Sequence, residues 1–115
     1  MIKALIVDDE AIVRDVLVDI CEDLGISVTE AEDGEMALEK FRAGEFDILI
    51  TDLRMPKMDG FKLMAEIKRE APKLPIIIIS GYSSEYDTEG SNYVLEKPFK
   101  EEALIKKLKA LNIIT

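Results

Sequence analysis

Four consecutive isoleucines, Ile76–Ile79, put an apolar side chain on both faces of any strand they form. A strand buried on both faces belongs in a parallel sheet covered by helices on each side, because a solvated face requires polar residues at alternate positions. The run sits in a strand predicted over Leu74–Ser80. Lys3–Val7 and Asp47–Thr51 show the same lack of alternation and are predicted to be central with it. Ser27–Glu30 and Tyr93–Leu95 are shorter candidates that complete five strands. No uninterrupted apolar run exceeds four residues, against the ~20 that a membrane-spanning helix needs.

Between the strands lie segments of helical period. Leu17, Ile20, Cys21 and Leu24 recur at helical spacing before Gly25, predicting a helix over Ala11–Leu24. Gly34 opens a second, with Met36, Ala37, Leu38 and Phe41 as its apolar face and Gly44 as its end. Asp59 is positioned to N-cap a third, whose core side is Phe61, Leu63, Met64 and Ile67, with Pro72 beyond it. A closing helix over Lys100–Leu111 carries Ala103, Leu104, Leu108 and Leu111 on one face. Its late Lys106, Lys107 and Lys109 suit the helix dipole. Residues 81–92, "GYSSEYDTEGSN", have no such stripe, and this composition predicts turns or a short helix. The alternation is that of an α/β fold in a single domain over residues 1–115.

Composition removes several classes of function. With 15 Lys+Arg against 24 Asp+Glu the net charge is −9, and no basic cluster exists to attract phosphate backbones, so direct nucleic-acid binding is not expected. There is no His and a single cysteine, Cys21, which leaves no zinc set, no Ser-His or Cys-His nucleophile and no internal disulfide. Cys21 lies on a core stripe and reads as a small buried hydrophobe. The N-terminus reaches Asp8 before a signal-peptide h-region is complete, so a cytoplasmic protein without a membrane segment is expected.

The chemistry-bearing residues fall at strand ends. Asp8 and Asp9 follow the first strand, Asp52 the third, Ser80 ends the fourth, and Lys97 follows the fifth. In open parallel sheets ligands bind beyond those C-terminal ends, so central strands bring the three carboxylates together. Such a cluster repels itself unless a group protonates or a cation binds, and hard oxygen donors select Mg2+. Taken singly, each aspartate reads equally as a helix cap or a solvated turn residue, Lys97 as a salt-bridge partner and Ser80 as a strand-end cap. Together, a metal, a cation and a hydroxyl around Asp52 suit phosphoryl transfer, with Asp52 as the nucleophile.

These residues resemble the receiver domains of two-component response regulators. "LIVDDE" is similar to the family's acidic pair, "ILITDLRMPKMDG" to its phosphoacceptor loop, "IIIISG" to its hydroxyl-bearing strand end and "EKPF" to its lysine-proline turn. The resemblance covers nearly the whole chain. It implies a flavodoxin-like (βα)5 three-layer sandwich with strand order 2-1-3-4-5. It also implies that Asp52 accepts a phosphoryl group from a sensor histidine kinase or histidine phosphotransfer protein. Asp9 and Asp52 would bind Mg2+ by side chain and Arg54 by its backbone carbonyl, with Asp8 assisting through water. Ser80 and Lys97 would contact the phosphoryl oxygens, the Lys97–Pro98 bond would be cis, and Met55, Pro56 and Gly60 would shape the loop. Such a chain is not an enzyme beyond catalysing its own phosphorylation and dephosphorylation, and its phosphorylated state changes its contacts with a downstream protein. A degenerate receiver serving as a non-phosphorylated scaffold is the alternative. An aspartyl phosphohydrolase would need a second acid where Arg54 stands. A flavin module of this fold would need a hydroxyl-rich loop where Asp8 and Asp9 repel phosphate.

Three features depart from the family pattern or specialise it. The aromatic residue usual three positions before the lysine is Val94 here, with Tyr93 one residue earlier and so expected on the other face unless the strand is bulged. The Ser80-to-Lys97 spacing is short, and the deficit falls where the family's helix 4 would lie, so phosphorylation is expected to order residues 81–92. In the family that this chain resembles, the positions held here by Arg54 and Tyr82 lie over the route of hydrolytic water, so these two bulky residues imply slow self-dephosphorylation. On the first helix, Ile12 and Val16 lie beside the core stripe, as a docking surface for the kinase's histidine-bearing helices or as packing against the closing helix.

Overall fold

The computed structural model describes residues 1–53, 58–81 and 93–115. The expectations for Arg54, Met55, Pro56, Tyr82 and the rest of 82–92 lie outside the described residues, as does the side chain of Tyr93. The described chain runs β1 (Lys3–Val7), α1 (Ala11–Asp23), β2 (Ser27–Ala31), α2 (Gly34–Ala43), β3 (Ile48–Asp52), α3 (Gly60–Glu70), β4 (Ile76–Ser80), β5 (Tyr93–Glu96) and α4 (Glu101–Ala110). All five strands are parallel in the order β2-β1-β3-β4-β5, the flavodoxin-like arrangement expected.

The isoleucine run lies at the heart of this sheet. Every residue of β3 and β4 is buried, and β1 is buried from Ala4 onward. Among the described residues, each sheet face carries two helices. Ile6, Ile50, Ile77 and Ile79 meet Leu17, Ile20 and Cys21 of α1 and Leu104 and Leu108 of α4. Leu5, Leu49, Ile76 and Ile78 meet Ala37 and Leu38 of α2 and Leu63, Met64 and Ile67 of α3. The alternation of the isoleucines between these two clusters is why the strand tolerates no polar position. Burial raises the Cys21 thiol to a pKa of about 11, in keeping with a packing role.

Local chemistry sets the helix ends. Asp33 accepts a hydrogen bond from the Met36 N–H at 2.8 Å and Asp59 one from the Lys62 N–H at 2.9 Å, each satisfying an orphan donor of the first turn. At the end of α1, Ile26 N–H donates to the Cys21 carbonyl and Gly25 N–H to that of Glu22. This pairing requires the left-handed φ of +80° that Gly25 supplies. Asn112, at φ 61°, closes α4 in the same way.

Several boundaries differ from the sequence-based expectation. β3 runs Ile48–Asp52, not Asp47–Thr51, because Asp52 pairs in register with Ile79, while the Asp47 carboxylate instead accepts the Lys3 N–H. β4 begins at Ile76, not Leu74, whose N–H completes a turn with the Ala71 carbonyl. β2 and β5 each extend one residue further, and α1 and α4 are shorter than predicted. The β4–β5 register is regular, from Ile77↔Tyr93 to Ser80↔Glu96, so no bulge displaces Val94. Val94 packs with the α2–α3 cluster and Leu95 with the α1–α4 cluster. The Lys97–Pro98 bond is cis.

Candidate functional site

The carboxyl ends of β1, β3, β4 and β5 converge, and the residues singled out in the sequence come with them. Asp8 leaves β1 fully buried, its N–H bonded to the Ala31 carbonyl of β2. Its Oδ1 accepts the Glu10 N–H at 2.9 Å, folding the chain back into α1. Asp52 is the buried last residue of β3. One carboxylate oxygen from each of Asp8, Asp9, Glu10 and Asp52 lies within 4.8 Å of the others. Ser80, buried at the end of β4, stands one residue beyond Ile79, the register partner of Asp52. Its carbonyl accepts the Lys97 N–H at 2.9 Å, which anchors the residue after β5 to the same edge.

Among the described residues, Lys97 brings its ammonium into this cluster. Its Nζ lies 3.2 Å from Glu10 Oε1, 3.3 Å from Asp52 Oδ2 and 3.4 Å from Asp8 Oδ2. Burial works against its charged form, but Asp52 and Asp8 outweigh burial and hold its pKa above the ordinary lysine value. Asp8 is displaced more severely. Burial first, and then the charge of Asp52, push its carboxyl up to about 6, against the pull of the Glu10 N–H and the Lys97 ammonium. Among the described residues, Asp8 Oδ2 accepts no hydrogen bond.

Among the described residues this buried oxygen has no hydrogen bond and faces three more carboxylates, a set of hard donors that could hold a divalent cation. The sequence profile of the response regulator receiver domain matches residues 4–109.

The chain belongs to this family.

Chemotaxis protein CheY-3 of Vibrio cholerae is 36% identical over 114 residues, covering 92% of this receiver and 88% of that protein. The autoinducer 1 sensor kinase/phosphatase LuxN of Vibrio harveyi is 36% identical over 104 residues, which are 87% of this chain and 12% of LuxN. This receiver thus spans a small part of several curated relatives it matches. Among solved structures, the response regulator protein TrrA of Thermotoga maritima, in complex with Mg(2+)-BeF, has a TM-score of 0.89 at 32% identity, covering 96% of this chain and 99% of that one.

Two residues of the receiver site have no counterpart in the expectations. Glu10 joins the acidic cluster although it caps α1 only through its backbone. Its place after Asp8-Asp9 was visible, but its reach to Lys97 depends on the turn that Asp8 makes. Arg14 donates from Nη1 to the Asp8 carbonyl at 2.6 Å and from Nε to Glu30 at 3.1 Å, tying the β1–α1 loop to β2. A carbonyl acceptor leaves no mark in the sequence.

Gly60 holds α3 against the site. A Cβ there would sit 2.7 Å from Leu53 Cα and closer still to the Asp52 carbonyl oxygen. Ile12 is 81% exposed and Val16 46% exposed, so the packing alternative for this pair does not hold. With Val13, Pro98 and Phe99 they border an apolar cleft of about 440 Å3 that ends at Lys97. No helix among the described residues is long and apolar enough to cross a membrane.

Proposed function

We propose that the chain is a phosphoacceptor receiver in which Asp52 takes a phosphoryl group from the phosphohistidine of a sensor histidine kinase or phosphotransfer protein. An Asp52 carboxylate oxygen attacks phosphorus and a P–O bond forms. The P–N bond breaks, and the imidazole nitrogen leaves with the electron pair and takes up a proton. Asp8, Asp9, Asp52 and the Arg54 carbonyl would hold Mg2+, which when bound would neutralise the phosphoryl oxygens. The Lys97 ammonium adds a fixed positive charge to this work, and Ser80, which ends the neighbouring strand, is assigned the hydroxyl contact to a phosphoryl oxygen. The observation that carries the reading is a lysine ammonium 3.3 Å from a buried strand-end aspartate, in a cluster that also holds cation-binding carboxylates. The resulting acyl phosphate alters contacts with a downstream protein, and Arg54 and Tyr82 slow its hydrolysis.

Intact mass after incubation with acetyl phosphate and Mg2+ tests the reading, beside Asp52→Ala and an EDTA control. A gain of one phosphoryl group that requires both Asp52 and Mg2+ is the expected result. No gain, even from a panel of histidine kinases, would overturn it in favour of a scaffold that is never phosphorylated.

A further inference from the structure

Glu10 stands apart from the other acids of the cluster. Its side chain is 62% exposed, whereas those of Asp8 and Asp52 are 0% and 8% exposed, yet it makes the shortest of the three ion pairs to Lys97. It therefore covers the solvent side of the lysine while the other two face it from inside. An exposed ion pair of this kind contributes little to stability, so nothing in the fold requires it. Its side chain makes no capping bond to α1, and the N–H that holds the β1–α1 turn belongs to its backbone.

We propose that Glu10 is an electrostatic positioning residue that sets the balance between cation affinity and anion entry. The inference rests on the phosphoacceptor reading above. Its carboxylate has two opposite effects on the ligands of that reading. It adds a negative charge within 4.8 Å of the cation-binding oxygens, which draws a divalent cation in. The same charge repels a dianionic phosphoryl donor approaching Asp52, and it occupies Lys97 on the side open to solvent. A residue that merely supported the fold would move both properties in the same direction when replaced.

The test is Glu10→Gln, which keeps the shape and an oxygen acceptor while removing the charge, with Glu10→Asp as the charge-retaining control. From one unit charge about 5 Å from a divalent cation in water, Mg2+ affinity measured by calorimetry at low salt should fall about ten- to twentyfold in Glu10→Gln. At saturating Mg2+, phosphorylation by acetyl phosphate followed by intact mass should rise about fivefold, and both changes should shrink at high salt. Glu10→Asp should stay near wild type in both assays. Unchanged Mg2+ affinity, or phosphorylation no faster than wild type, overturns the role of Glu10 while the wild type still gains phosphate. A wild type that gains no phosphate overturns the underlying reading instead, and this inference with it.

Discussion

Replacing Asp8 by Asn removes a buried charge whose ionisation the fold opposes, while preserving the Oδ1 acceptor that the Glu10 N–H requires. The Asp8 carboxyl stands at about 6 against an ordinary 3.8, because it is buried and faces Asp52. The native state therefore holds this proton more tightly than the unfolded chain does. The destabilisation is absent below about pH 4, grows as pH rises, and levels off above about pH 6. At about 1.36 kcal/mol per pH unit, ionised Asp8 lowers stability by about 3 kcal/mol near pH 8 and by about half of that near pH 5. Urea denaturation of Asp8→Asn and wild type in EDTA should show that gap, with the variant more stable and the difference narrowing on acidification. Mg2+ should close it from the other side. The cation binds the native, ionised cluster and raises wild-type stability by about 2.7 kcal/mol at a hundredfold excess over Kd, while the variant gains less. A variant no more stable than wild type near pH 8, or a gap indifferent to pH, would refute the reasoning.

Two other substitutions probe how the site is held. Gly60→Ala forces a methyl group against the Asp52 carbonyl and the Leu53 backbone, so it should cost about 1–3 kcal/mol in urea denaturation and weaken Mg2+ binding in calorimetry. Arg14→Ala removes the charged donor to the Asp8 carbonyl and the pair to Glu30, with an expected loss of about 1.5–3 kcal/mol in the same denaturation assay.

Much of the fold was legible because burial on both faces leaves a direct trace. Ile76–Ile79 has no polar position, and neither has Ala4–Val7, so their central places follow from composition alone. The third helix start was equally plain, since Asp59 is the short acceptor its first turn needs. Strand ends were less so. Nothing in "FDILITD" says that Asp47 will spend its carboxylate on the Lys3 N–H while Asp52 completes the ladder, because the register comes from the neighbouring strands.

The site divides along the same line. By itself the sequence determined which groups stand at the carboxyl ends of which strands: Asp8, Asp9, Asp52, Ser80 and Lys97 each follow or end an apolar run, and a parallel sheet must gather them. Only the tertiary structure decided how they share charge. Lys97 lies among three carboxylates, Glu10 reaches it from the solvent side, and Arg14 holds the Asp8 carbonyl. The reason is physical. Strand order and polarity are imposed by a pattern repeated over many residues, whereas a single ion pair depends on distances of a few ångströms between side chains up to 89 residues apart in the chain. Those distances exist only once the sheet has closed.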